Sequence, residues 1–180
     1  AYSVAIIIAE LLGDALFSRK LQIFATDLDE NAINYARRGL YTQAEMRELS
    51  REIKNRYFNK EPGGRYEIIK LIRERIVFAR QDIVKDPPFS HLDLISCRNL
   101  LIYHRAELQN RILNMFHYAL KQDGLLFLGK SESLGTNADL YKPLSKKWRI
   151  FTKNNSAVPQ SPRALRSGTV PGEKLSSRHE

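Results

Sequence analysis

The chain is poor in cysteine, in tryptophan and in long apolar runs. Of its 180 residues, one is cysteine, Cys97, and one is tryptophan, Trp148. A single cysteine excludes a disulfide framework and any multi-cysteine zinc site. The four histidines, His91, His104, His117 and His179, show no metal-ligand spacing. No apolar stretch approaches the ~18 residues of a membrane-spanning helix. The best candidate, Val4 to Leu12, is short and contains Glu10. No basic-then-apolar leader opens the chain, so secretion is not indicated. An initiator methionine is also absent, and Ala1 leads directly into an apolar segment, which reads as a domain cut open at its start.

What is present is ordinary for a globular protein: 43% hydrophobic and 27% charged residues, richer in apolar side chains than a disordered chain. The length suits one domain, or one domain with a tail. The net charge is +9. From Thr152 onward Lys153, Arg163, Arg166, Lys174 and Arg178 face Glu173 and Glu180, so a net +3 belongs to the tail. The remainder is dispersed and reads as a basic soluble surface. A nucleic acid, an acidic membrane and an acidic protein partner are all compatible with it.

Periodicity suggests an alternation of helices and strands. Tyr2 to Leu12 reads as a buried helix stopped by Gly13, and Leu21 to Thr26 as a buried strand. After Asp27-Leu28-Asp29, a helix is expected from Glu30 to Arg38, closed by Gly39. Gln43 to Tyr57 reads as helical and broken at Ser50, a cap for Arg51 onward. Glu61-Pro62-Gly63-Gly64 is a turn, and the alternation around Tyr66 and Ile68 suggests a small antiparallel insert. Arg75 to Ala79 and Leu92 to Cys97 read as strands. Arg105 to Leu120 is an amphipathic helix with Leu108, Ile112, Met115, Phe116 and Ala119 on one stripe, which leaves His117 at the surface or partly packed. Leu125 to Leu128 and Trp148 to Phe151 complete the strands. The rhythm predicts an α/β fold with a parallel sheet, followed by a linker or disordered tail over residues 152–180.

Ligands of open parallel sheets sit outside the carboxyl ends of the strands. Those ends carry Asp27, Asp82, Arg98-Asn99 and Gly129. Asp27 can accept both hydroxyls of a ribose with its two oxygens, but Asp27 or Asp29 can equally cap the next helix. A calcium loop starting at Asp27 is excluded, because its glycine and glutamate positions hold Ala32 and Arg38. A phosphatase of the haloacid-dehalogenase type, with Asp27 and Asp29 as its acidic pair, is a rival enzyme reading, though no later magnesium-binding pair is evident. Asp86-Pro87-Pro88-Phe89 is similar to a motif of nucleic-acid amino-methyltransferases, but it precedes its strand and reads as a loop breaker. Cys97 reads as a buried structural thiol more readily than as a nucleophile, and Tyr103 as a packed aromatic.

The segments FATDLDENAINYARRGLY, ISCRNLLIYH and LKQDGLLFLGKSESL closely resemble the chemotaxis-receptor glutamate methyltransferases of the CheR type. The resemblance runs in order from about Ala1 to Phe151. It implies a class I, Rossmann-like methyltransferase fold with a doubly wound sheet over residues 1–151 and a small β-subdomain inserted near residues 59–80. It implies S-adenosyl-L-methionine as the methyl donor, leaving as S-adenosyl-L-homocysteine. The implied partners are the cytoplasmic helices of methyl-accepting receptors, not nucleic acid, with no direct insertion into the membrane and a cytoplasmic location.

The resemblance also implies roles. Asp27 would hold the ribose, Asp82 and Ile83 would flank the adenine, and Cys97 and Arg98 would lie beside the cofactor. Arg98, Asn99 and Tyr103 would face the methyl-transfer site, with Arg98 holding the incoming carboxylate. Ser131 and Glu132 would help line the cleft. Family members can carry asparagine where Asp82 stands. They also carry a glycine-containing first strand and turn, ending in Gly-Glu-Glu, just before the position of Ala1. That segment is missing here, so weak or no cofactor binding is expected of the chain as it stands. The short turn from Glu61 to Arg65 predicts that tethering of a receptor-tail peptide is absent. A non-catalytic signalling or binding module on the same fold is the alternative, and the residues after Phe151 suggest a linker within a larger multidomain protein.

Overall fold

The computed structural model describes residues 1–18 and 20–157. Of the tail expected at 152–180, residues 158–180 lie outside the described residues. The chain forms two compact units, Ala1–Asp86 and Pro87–Glu180. The division falls at Asp86-Pro87-Pro88, where proline removes backbone donors and restricts the residue before it.

The first unit opens with α1, Tyr2–Leu12, stopped where the N–H of Gly13 turns back to the Ala9 carbonyl. The helix is one-sided rather than wholly buried. Tyr2, Ala5, Ile6 and Ala9 are buried at helical spacing, while Ile7 and Leu11 are exposed. After the short helix α2, Ala15–Ser18, strand β1, Ile23–Asp27, leads to α3, Glu30–Arg38. Then follow β2, Leu40–Tyr41; α4, Arg51–Tyr57; β3, Phe58–Glu61; β4, Arg65–Ile68; α5, Lys70–Arg73; and β5, Ile76–Arg80.

Strands β1 and β5 pair in parallel, from Ile23 opposite Ile76 to Asp27 opposite Arg80. The antiparallel sheet has the order β2-β4-β3. It therefore draws on residues from 40 to 68, where the resemblance placed an insert near 59–80. Residues 76–80 belong with β1 instead, because Ile76 and Phe78 alternate into the same core as α1. Ser50 caps α4 as expected, its Oγ accepting from the Ile53 N–H at 3.2 Å. The Tyr2 ring lies 6.1 Å from Tyr41 and 5.5 Å from Phe78, and its hydroxyl donates to the Ala36 carbonyl at the end of α3. One aromatic side chain thus ties α1 to both sheets and to α3.

The second unit contains β6, Leu92–Cys97; α6, Ala106–Ala119; β7, Leu120–Leu128; β8, Tyr141–Ser145; and β9, Ile150–Lys153. The sheet order is β6-β7-β9-β8, with β6 and β7 parallel and the remaining pairs antiparallel. Strand β7 begins directly after α6. Its first residue faces Leu92, and the register then jumps so that Leu94 faces Leu125. The excursion is Lys121-Gln122-Asp123-Gly124, the segment that stops the helix in the sequence pattern.

Helix α6 buries Ile112, Leu113, Phe116 and Ala119 but also Asn114 and His117. His117 is thus inside, not at the surface. Its Nε2 pairs with the Asn154 carbonyl at 3.1 Å, and burial pushes its pKa down. The Asn114 amide donates to the Asn110 carbonyl and to Asn137 Oδ1. Burial of polar groups is tolerable only with such partners, and these partners come largely from distant sequence.

Gly39 offers the sharpest packing test. It sits at φ 65°, and a Cβ there would stand 2.5 Å from Ile68 Cγ2 and 3.2 Å from the Tyr2 hydroxyl. Left-handed backbone costs an ordinary residue ~1–2 kcal/mol and overpacking a further ~1–3 kcal/mol. Gly39→Ala should therefore lower unfolding stability by about 2–5 kcal/mol, read from the urea midpoint at unchanged slope; a loss below about 0.5 kcal/mol would contradict this packing.

Candidate functional site

Two sets of strand-end residues were singled out by the sequence, and each lies within its own unit. In the first unit, Asp27 ends β1 and Asp82 follows β5, the adjacent parallel strand. The Asp27 carbonyl accepts from Gln81 N–H at 3.0 Å, which carries the strand pairing to its edge. Asp29, not Asp27, caps α3: its Oδ1 accepts from Asn31 N–H at 2.8 Å. Asp27 Oδ1 accepts from Asp29 N–H at 3.0 Å. The other oxygen, Oδ2, has no hydrogen bond among the described residues, and the residue is exposed. A carboxylate with one oxygen anchored and one open at a strand end fits a sugar hydroxyl.

Asp82 is more engaged. Its Oδ1 accepts from Val84 N–H at 3.0 Å, Lys85 approaches Oδ2 at 3.6 Å, and its own N–H donates to Asp86 Oδ2 at 2.8 Å. The Val84 bond, helped by Lys85, holds its pKa below the usual carboxylate range. Asp82 thus builds the turn that presents Ile83, which is half-buried.

In the second unit, β6 ends with Cys97 and is followed by Arg98 and Asn99. Cys97 points into the core and is 5% exposed. Burial, with the Glu132 charge adding to it, pushes its pKa up to about 12. It is a neutral packing thiol, not a nucleophile. Arg98 lies on the opposite, exposed face, its guanidinium 5.2 Å from the centre of the Phe127 ring. Stacking engages the face of the group and leaves its N–H edges available. Arg98 has no ion-pair partner among the described residues. Asn99 has φ 58°, in the left-handed region. Tyr103 closes a short 3-10 turn, Leu101–Tyr103, and is 77% exposed rather than packed.

The residue that sequence reasoning undervalued is Glu132. Expected to help line a cleft, it is instead 2% exposed. Its Oε1 accepts from Leu100 N–H at 2.9 Å and Leu101 N–H at 3.0 Å, and its Oε2 from Gly129 N–H at 2.6 Å. Three backbone donors at the ends of β6 and β7 thus converge on one carboxylate. Arg149, just before β9, donates to the Glu132 carbonyl. Ser131, beside it, is exposed. A glutamate three residues after a glycine at a strand end was the available signal; its partners 31–32 residues away were not visible.

Residues 1–150 match the family described as CheR methyltransferase, SAM binding domain. The chain belongs to that family, whose fold is that of class I methyltransferases and whose donor is S-adenosylmethionine. Among individual relatives, it is 38% identical over 171 residues to an uncharacterized 104.1 kDa protein of Rhodobacter capsulatus, covering 95% of this chain and 17% of that one. It is 34% identical to the putative methyltransferase Cher3 of Pseudomonas putida, covering 85% of this chain and 58% of the relative. It is 37% identical to chemotaxis protein methyltransferase 1 of Pseudomonas aeruginosa, covering 78% and 53%. The chain spans about half the length of the curated chemotaxis methyltransferases it matches. No helix among the described residues is long and apolar enough to cross a membrane.

Cys97 allows a clean check of the second unit, since it is the only thiol in the chain. A thiol with its pKa pushed up to about 12 stays protonated at pH 8. Alkylation at pH 8 should run at least about 100-fold slower in the folded protein than in urea, because the thiolate is the reactive form. Comparable rates would place Cys97 at the surface.

Proposed function

We propose that the protein transfers a methyl group from S-adenosylmethionine to glutamate side chains of receptor helices, giving γ-glutamyl methyl esters in the cytoplasm. The observation that carries this reading is Arg98: a permanent cation at the end of a parallel strand of a SAM-binding family domain, set over the Phe127 ring and without an ion-pair partner among the described residues. A guanidinium of this kind pairs with a carboxylate through two donors.

S-adenosylmethionine, when bound, supplies a methyl group on a sulfonium that leaves as the neutral thioether. A substrate glutamate has a reference pKa of ~4.3 and is already an anion near pH 7, so no general base is needed. The new bond is carboxylate oxygen to methyl carbon, the broken bond is methyl carbon to sulfur, and no proton moves. The work left to the protein is alignment and exclusion of water. In this reading Asp27 takes the ribose with its open oxygen. The Asp82 turn presents Ile83 to the adenine. Cys97, its side chain buried, would lie beside the donor through its backbone, Arg98 would hold the incoming carboxylate, and Asn99 and Tyr103 would border the transfer site. Removing one negative charge per ester changes repulsion between receptor helices, which suits a signalling role. The length matched in the Rhodobacter capsulatus protein supports a larger multidomain setting.

Against the phosphatase reading stands the match of residues 1–150 to a SAM-binding family, together with the use of Asp29 as the cap of α3. The test uses the natural full-length protein, labelled S-adenosylmethionine and an acidic receptor helix. Label released by mild alkali, as a methyl ester requires, is expected. Cofactor binding without transfer would favour a non-catalytic module. Arg98→Ala should lower kcat/KM by about 100-fold or more, the scale of lost alignment; near-normal turnover would remove its role. Asp27→Ala should raise the cofactor Kd about 10-fold, equivalent to ~1.4 kcal/mol, and an unchanged Kd would exclude the ribose contact.

A further inference from the structure

We propose that Glu132 is a positioning residue: its buried carboxylate sets the backbone of the Asn99–Leu101 turn and thereby aims Arg98 and Asn99. This rests on the methyl-transfer reading above for its kinetic consequence, but not for its structural part.

The geometry is that of an anion nest filled from within. A left-handed residue in a turn points successive N–H groups to one side, where they ordinarily bind a ligand anion. Asn99, at φ 58°, does this for Leu100 and Leu101, and the anion received is Glu132 Oε1. The second oxygen is held by Gly129 at the end of β7. The two strand ends are therefore fixed to each other by one side chain, beyond the point where their own ladder stops at Cys97 and Leu128.

The neighbours fit this role. A Cβ on Gly129 would stand 2.6 Å from Glu132 Oε2 and 3.5 Å from the Asn99 nitrogen, so only glycine admits the carboxylate. The Arg149 bond to the Glu132 carbonyl fixes the backbone from which the side chain projects. Glu132 cannot itself touch a substrate, being 2% exposed with both oxygens occupied. Its influence passes through the turn. Arg98 is two residues before the first held amide, that of Leu100, and rests on Phe127, one residue before the end of β7.

Glu132→Gln separates this from a general stabilising role, because it keeps the shape and alters one contact. The amide oxygen can still accept from Leu100 and Leu101. The NH2 group then faces the Gly129 N–H, donor against donor, across what is now a 2.6 Å hydrogen bond. Two readouts in the natural full-length protein decide the matter. By amide hydrogen exchange, Leu100, Leu101 and Gly129 should be protected in the wild type, and Gly129 should lose protection in Glu132→Gln. Unprotected amides in the wild type would overturn the proposal whatever the variant does.

In methyl transfer, Glu132→Gln should lower kcat by about 10–100-fold, the scale of a small misplacement, with the cofactor Kd moved less than about 3-fold. Glu132→Ala should fall further if it folds, while Gly129→Ala should reproduce the loss with Glu132 intact. An unchanged kcat in Glu132→Gln, or a kcat and Kd that fall only with the folded fraction, would leave Glu132 a structural anchor and overturn the positioning role. A wild type that transfers no methyl would remove the function and the kinetic role together, and amide exchange alone would then decide whether Glu132 holds the turn.

Discussion

The second unit depends on how its parallel strands end. A strand that stops leaves backbone donors without a ladder partner, and buried donors must find one. Here the donors of Leu100, Leu101 and Gly129 find the same carboxylate. Hydrogen bonds to a charged acceptor contribute ~1.5–3 kcal/mol each, and losing the acceptor strands all three donors. Such an arrangement is also rigid, since moving any one donor disturbs the others. The exposed polar residues at the tip are thus mounted on a fixed frame, to which the contact of Arg98 with Phe127 adds.

The first unit solves the same problem by local means. Asp27 holds the Asp29 amide, Asp29 caps α3, and Asp82 closes its own turn onto Val84. These bonds span two residues each and need no distant partner. The contrast matters for binding. The local solution leaves one oxygen of Asp27 open, whereas the long-range solution uses both oxygens of Glu132 and keeps it from solvent. An acidic residue near a strand end is therefore available to a ligand or unavailable according to where its donors come from.

That distinction marks the limit of what could be read from the chain. The boundaries of α1, α3 and β6 were legible, because glycine stops, the Asp29 cap and short apolar runs are local signals. The parallel ends at Asp27 and Arg98 were legible for the same reason. The burial of His117 and Asn114 was not, since an apolar stripe gives no reason to place them inside until Asn154 and Asn137 supply partners. Strand β8 and the pairing of β2 with β4 were also hidden: β2 is two residues long, and β8 carries a proline. Tyr103 by itself suggests a packed aromatic and by resemblance a residue of the transfer site; it is exposed, because the 3-10 turn that it closes buries Leu101 instead.

A reaction that moves no proton places an unusual burden on such a frame. With the nucleophile already ionised, there is no acid or base whose pKa could be tuned to raise the rate. None of the strand-end residues named for the transfer site has the character of a general base, and Cys97, the one group beside them with a large shift, is shifted away from reactivity. On the proposed reading, rate must then come from distance and angle alone, which packing and backbone hydrogen bonding control. A rigid turn anchored from beneath by a buried carboxylate, with a stacked guanidinium at its root, is the kind of construction that this chemistry rewards. It leaves the choice of acidic partner to the exposed side chains above.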